Sequence, residues 1–204
     1  PVFGETCPQY LFFTEADLAK PDGAKWICSP PMRTTADQNR LWQGLETGIV
    51  QTIATDHCPF FYEGSKSIMY EGKPVAIPGK ELGRGDFTKI PNGLPGVGDR
   101  MPILWTEMVV SGKFTPSQFV NLTCSNPAKI FGMYPQKGTL QVGSDADLVL
   151  WDPKKTVTYG TAYSQQRTDY NVYEGWKLQG FPVSVFSRGE LIVDQGIWSG
   201  VPGR

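Results

Sequence analysis

Two apolar runs with one capped helix between them, all within residues 25–54, restrict the fold more than any other stretch of this chain. Residues 25–28, Lys-Trp-Ile-Cys, read as a short strand stopped by Pro30-Pro31. Thr35-Ala-Asp-Gln38 has the pattern of a capping box and opens an amphipathic helix through Leu41, Trp42 and Leu45, which Gly48 ends. Residues 49–54, Ile-Val-Gln-Thr-Ile-Ala, are rich in β-branched side chains and read as a buried strand. A strand, a helix and a second strand in this order form a unit whose strands run parallel. The expected setting is a parallel sheet or a barrel.

The second run closes on Thr55-Asp56-His57. In α/β barrels the residues just past a strand's C-terminal end point into the active site, which would place Asp56 for chemistry. Asp at such a position also serves as the cap of the next turn, and the tripeptide alone leaves both roles open. Ser29 ends the preceding run in the same way, so Ser29 and Asp56 are expected to face one mouth. Ser29 is a poor candidate nucleophile, because no G-x-S-x-G elbow surrounds it.

Residues 60–98 are rich in Gly and Pro and show no clear period, which favours a functional loop over a simple connector. Within them Gly93-Leu-Pro-Gly96-Val-Gly98 follows Pro91-Asn92 instead of a strand and lacks the Lys-Ser/Thr of a phosphate loop. It reads as a substrate-contacting turn or a plain loop. Helices are expected across residues 99–132, where Thr115-Pro-Ser-Gln118 joins an N-cap, a Pro at the first helical position and a capping box. From about residue 138 short strands take over: residues 147–151, 183–186 and 190–193, with turns at Asp152-Pro153 and Arg188-Gly189. The second of these turns predicts a two-residue hairpin of type I′, provided Arg188 takes a positive φ.

Lys and Arg number 19 against 20 Asp and Glu, so a net charge of -1 gives no field to draw nucleic acid or an acidic membrane. No apolar stretch approaches a membrane span, and residues 1–5 lack the features of a signal peptide, so a cytoplasmic protein is expected. Four scattered cysteines contain no C-x-x-C pair and read as buried thiols. Hydrolytic metal sites usually take several imidazoles, and the single histidine, His57, cannot supply them. Either the chain is no metalloenzyme or part of the site lies elsewhere.

Five segments, in order, resemble the dihydropyrimidinase and D-hydantoinase group of cyclic amidohydrolases. They are Gly4-Glu-Thr-Cys-Pro-Gln-Tyr-Leu11, Ser29-Pro-Pro-Met-Arg33, Ala54-Thr-Asp-His-Cys-Pro-Phe60, Asp86-Phe-Thr-Lys-Ile-Pro-Asn-Gly93 and Val142-Gly-Ser-Asp-Ala-Asp-Leu-Val149. The resemblance implies an α/β fold: the C-terminal part of a metal-dependent (β/α)8 TIM barrel over residues 1–137, a small β-sandwich segment over 138–197, and the start of a tail over 198–204. Members of the group are more than twice this length.

The same resemblance implies two divalent metal ions, zinc, held by a His-x-His pair, a bridging carboxylated lysine, two further histidines and one aspartate. Only the aspartate has a match, Asp56, so the other ligands are expected outside this chain, and the chain alone is expected to bind zinc weakly and be inactive. Asp56 would also be the catalytic acid and base, while the backbones of Ser29 and Asn92 would hold a small cyclic ureide or imide. The implied reaction is hydrolysis of the cyclic amide of dihydropyrimidines or hydantoins to N-carbamoyl amino acids. A homotetramer is implied, and the apolar helices of residues 99–131 are expected to supply part of its interface. A non-catalytic scaffold of the collapsin response mediator kind shares the fold but does not keep the metal-site aspartate. Allantoinase, the nearest enzymatic rival, is disfavoured by Lys89-Ile-Pro-Asn-Gly93.

Overall fold

The computed structural model describes residues 1–64 and 66–200, so residues 201–204 of the expected tail lie outside the described residues. The N-terminal part is built from short elements. Strand β1 (Glu5–Thr6) leads into helices α1 (Pro8–Phe12) and α2 (Glu15–Leu18); helix α3 (Thr35–Thr47) follows, and strand β2 (Thr52–Ile53) closes the segment. β1 and β2 pair in parallel, Glu5 opposite Thr52 and Thr6 opposite Ile53. Parallel neighbours on either side of a helix are what the sequence pattern requires, but the partner differs from the expected one.

Residues 25–28 are not a strand. Gly23–Trp26 winds as a 3-10 turn, and the carbonyl of Ile27 accepts from Gly93 N at 3.0 Å and from Lys80 Nζ at 2.9 Å instead of from a ladder. Trp26 and Cys28 still bury, which is why the run looked strand-like, but burial there comes from packing against aromatic rings. The run 49–54 is likewise trimmed to Thr52–Ile53, since Ile49 is 72% exposed. The cap of α3 sits one residue earlier than its sequence pattern suggests. Thr34 Oγ1 accepts from Asp37 N at 3.3 Å, and the Asp37 carboxylate accepts from Thr34 N at 3.1 Å.

The loop of residues 60–98 holds a hairpin that the reading of its composition missed: β3 (Lys66–Tyr70) and β4 (Lys73–Ile77), antiparallel. Its turn, Glu71-Gly72, has φ of 49° and 76°, the double positive that a type I′ turn demands. Helices then follow as expected. α4 (Arg100–Leu104) runs on as a π-helical stretch to Val110, α5 (Pro116–Val120) starts with the Thr115–Gln118 capping box, and a second π-helical stretch leads to α6 (Asn126–Ile130). None of the described helices is long and apolar enough to cross a membrane.

The C-terminal part is one antiparallel sheet in the order β5 (Leu148–Thr158), β6 (Lys177–Ser187), β7 (Glu190–Asp194) and β8 (Ile197–Trp198). Asp152-Pro153 does not end β5. It forms an irregularity inside the strand, with the register shifting between Asp152 and Thr156 and Lys154 N donating to Asp152 Oδ1 at 2.9 Å. Arg188 and Gly189 have φ of 50° and 85°, and Ser187 faces Glu190 across them, so the expected hairpin turn is present.

Two apolar clusters hold these parts. One packs Leu45 of α3, Ile53 of β2, Leu104, Met108 and Phe119 around the short parallel pair. The other, with Phe13, Trp26, Ile103, Tyr173 and Phe181, joins the helical part to the sheet. At this junction Asp99 is fully buried, and its Oδ1 accepts from Tyr159 Oη at 2.7 Å, Gln166 Nε2 at 2.6 Å and Asn171 Nδ2 at 3.1 Å. Burial pushes its pKa up, and the three donors only partly offset that.

Candidate active site

β2 ends two residues before Thr55-Asp56, and its end is fixed from both sides. Arg100 Nη1 donates to the carbonyl of Ile53 at 2.9 Å, Asn126 Nδ2 donates to that of Gln51 at 2.9 Å, and Ala54 N reaches Thr6 O at 2.9 Å. The chain then turns sharply, with Asp56 at φ 47°. Such a conformation is uncommon for a residue other than Gly, and Asp is among the side chains that tolerate it best. Strain of this kind is often found at functional positions. Asp56 does not cap the following turn: among the described residues its exposed carboxylate accepts no hydrogen bond.

His57 takes a different part. Its Nδ1 accepts from Gly96 N at 3.0 Å and from Val97 N at 3.2 Å, which puts the ring proton of the neutral imidazole on Nε2. Cys58 N donates to Leu94 O at 3.0 Å beside it. His57 therefore anchors the turn of residues 93–98 against the loop that carries Asp56. The approach is close: a Cβ on Gly93 would lie 2.4 Å from the carbonyl oxygen of Cys58, so only glycine fits there.

Asp56 lines a cleft of about 590 Å³ together with Glu5, Thr6, Cys7, Tyr10 and Arg33. Pro30 and Pro31 also line it, whereas Ser29 and Asn92 do not. Those two meet each other instead: Ser29 Oγ lies 3.4 Å from Asn92 Oδ1, and both are exposed. The structure thus brings Ser29 to Asn92 and sets Asp56 in the neighbouring cleft. The β1 segment contributes Glu5, Thr6 and Cys7 to this wall, and Gly4-Glu-Thr-Cys7 could have revealed it as the strand beside β2.

Burial, with the negative charges of Asp56 and Glu5 next, pushes the Cys7 thiol up to about 12; burial likewise raises that of Cys28. Both stay protonated at neutral pH, so neither is a ready nucleophile. Asp56 can give a metal one oxygen ligand, but among the described residues no group of three or more His, Cys, Asp or Glu side chains is placed to hold an ion. This part of the site fits a metal as a single ligand and not as a complete cage.

A sequence model of the Amidohydrolase family matches residues 12–192. The chain belongs to the amidohydrolase family. It is 43% identical over 206 residues to a D-hydantoinase of Streptomyces coelicolor, covering 100% of this chain and 41% of that protein. It is 45% identical over 204 residues to a D-hydantoinase of Geobacillus stearothermophilus, covering 99% and 40%. Among solved structures, a dihydropyrimidinase from Brevibacillus agri matches with a TM-score of 0.87 and 47% identity, over 97% of this chain and 40% of that one. The chain spans about two fifths of the length of these relatives. The parallel pair β1–β2 with its helices is accordingly part of the amidohydrolase α/β barrel, and family membership implies divalent metal ions.

Proposed function

We propose that this chain supplies the Asp56 wall of a metal-dependent cyclic amidohydrolase that opens dihydropyrimidines or hydantoins to N-carbamoyl amino acids. The observation that carries this reading is the carboxylate of Asp56. It stands free and exposed just beyond a parallel strand, in a chain 43–47% identical to hydantoinases and a dihydropyrimidinase. In a barrel that is the reacting end. Asp56 would be one ligand of a pair of zinc ions, whose carboxylated lysine and histidine ligands would come from sequence beyond these residues. Divalent ions at such a site acidify water and polarise the amide carbonyl.

Asp56 accepts the proton of the attacking water and returns it to the ring nitrogen as the C–N bond breaks. An anion is needed for the first step and its conjugate acid for the second. The backbones of Ser29 and Asn92, beside that cleft, hold the donor and acceptor edge of the cyclic ureide or imide. Backbone groups suit this task because they donate and accept in fixed directions. Residues 1–137 form the barrel part and 138–197 the sandwich part of a cytoplasmic homotetramer, and exposed Val110, Val120 and Phe131 on the helical segment fit a subunit interface.

The test is Asp56→Asn in the full-length protein, with dihydrouracil and hydantoin hydrolysis and metal content measured on the same sample. Loss of general acid and base action typically slows a reaction by about 10²–10⁴-fold. A fall in kcat of at least roughly a thousandfold is expected, with the fold intact. A variant within tenfold of the parent protein would remove Asp56 from the mechanism.

A further inference from the structure

Lys80 is buried to 2% exposure, and among the described residues no carboxylate lies within ion-pair distance of it. A lone buried ammonium is unfavourable, and an apolar side chain would fill the same space without that cost. Its Nζ is instead committed to two backbone carbonyls, Ile27 O at 2.9 Å and Pro91 O at 3.3 Å. Ile27 stands two residues before Ser29, and Pro91 immediately precedes Asn92. Gly93 N donates to the same Ile27 carbonyl at 3.0 Å, so the two loops are knotted at one point. The backbone of Lys80 adds a third loop: its N–H donates to Phe61 O at 2.8 Å, in the segment that follows Asp56.

We infer that Lys80 is a positioning residue, which sets the substrate-reading backbone of Ser29 and Asn92 relative to Asp56. The inference rests on the amidohydrolase reading given above. An ammonium suits the task because it presents three donors and no acceptor, and so can bridge carbonyls that would otherwise repel. Burial lowers its pKa to about 8, which leaves it protonated at neutral pH. Lys80 touches neither cleft nor carboxylate, so its removal should alter where the substrate sits and leave the proton chemistry at Asp56 alone.

In the full-length, metal-loaded protein, Lys80→Met removes the donors at nearly constant length. The expected result is a KM for dihydrouracil or hydantoin raised at least about tenfold, kcat within about threefold, and unchanged metal content. Lys80→Gln, which keeps two N–H donors without the charge, is expected to fall between parent and Lys80→Met. If the parent protein opens no cyclic ureide, the functional reading fails. An active parent with an unchanged KM in folded Lys80→Met fails only the role of Lys80. Equal losses in kcat and metal content, or a failure of both variants to fold, would overturn the positioning role in favour of a purely structural one.

Discussion

β5 and β6 run side by side for 11 residues each, whereas β1 and β2, the pair that carries the candidate site, have two residues each. The long pair holds itself through its own backbone ladder. The short pair is held by side chains that arrive from far along the chain: Arg100 across 47 positions, Asn126 across 75, and Lys80 across 53 to the neighbouring loop. A ladder spreads its stabilisation over many bonds, so losing one side chain changes little. In the site half the loops have few backbone bonds and lean on single side chains, donors such as Lys80 and Arg100 or the acceptor His57, so substitutions there should have effects confined to the site. Placing a free carboxylate at a strand end requires loops, and loops must be held by something other than a ladder.

The junction between the two regions tests this contrast most severely. Asp99→Ala would remove the common acceptor of Tyr159, Gln166 and Asn171, leaving Tyr159 with Gly98 O at 3.3 Å, Gln166 with Ser164 Oγ at 3.0 Å, and buried Asn171 Nδ2 with no replacement among the described residues. One unsatisfied buried donor costs about 1–3 kcal/mol, and the weakened bonds of the other two add to it, so a total of about 2–4 kcal/mol is expected. Urea denaturation of the full-length protein measures it. A change below about 1 kcal/mol would mean that packing alone joins the halves.

His57 gives a smaller effect, confined to the site half. His57→Ala removes the acceptor for Gly96 N and Val97 N, but this position is exposed and water can replace the ring nitrogen. A stability loss of about 1 kcal/mol is expected, with kcat within tenfold of the parent and metal content unchanged. A thousandfold loss would give His57 a direct part in the chemistry and contradict the anchoring role described above.

The regions also differ in how far they could be read from sequence. In the sheet, strand positions and the Arg188-Gly189 turn followed from local pattern, because a ladder depends on alternation and turn chemistry that lie close together in the chain. The placement of Asp56 just past a strand followed for the same reason, from its β-branched run. Its true neighbour, β1, was not, because two residues of strand carry almost no periodic signal. Residues 25–28 misled because Trp26 and Cys28 bury against aromatic rings and so imitate a half-buried strand. Nothing local marks Lys80 as buried, since its partners are carbonyls, which every residue possesses. The β3–β4 hairpin did have a signal, the Glu71-Gly72 turn between β-formers, and it was hidden by the surrounding Gly and Pro.

The smallest effect on activity belongs to the sheet. Gly189 holds φ at 85° in the two-residue turn between β6 and β7, and alanine there meets backbone strain instead of a clash, the nearest atom being the Cβ of Ala146 at 3.9 Å. Gly189→Ala should therefore destabilise by about 1 kcal/mol. Arg188 already tolerates φ of 50°, and its backbone N–H donates to Asp147 Oδ1 at 2.8 Å whatever its side chain. Arg188→Asn keeps that bond and suits the left-handed conformation better, so it is expected to leave stability unchanged or raise it by a few tenths of a kcal/mol. Neither variant should alter the proposed ring opening, because the turn touches no loop of the site. Thermal melting and hydantoin turnover, measured side by side, check both. A loss of activity in Gly189→Ala larger than its loss of stability would show that the sheet transmits strain to Asp56, and the separation of the two regions would then be wrong.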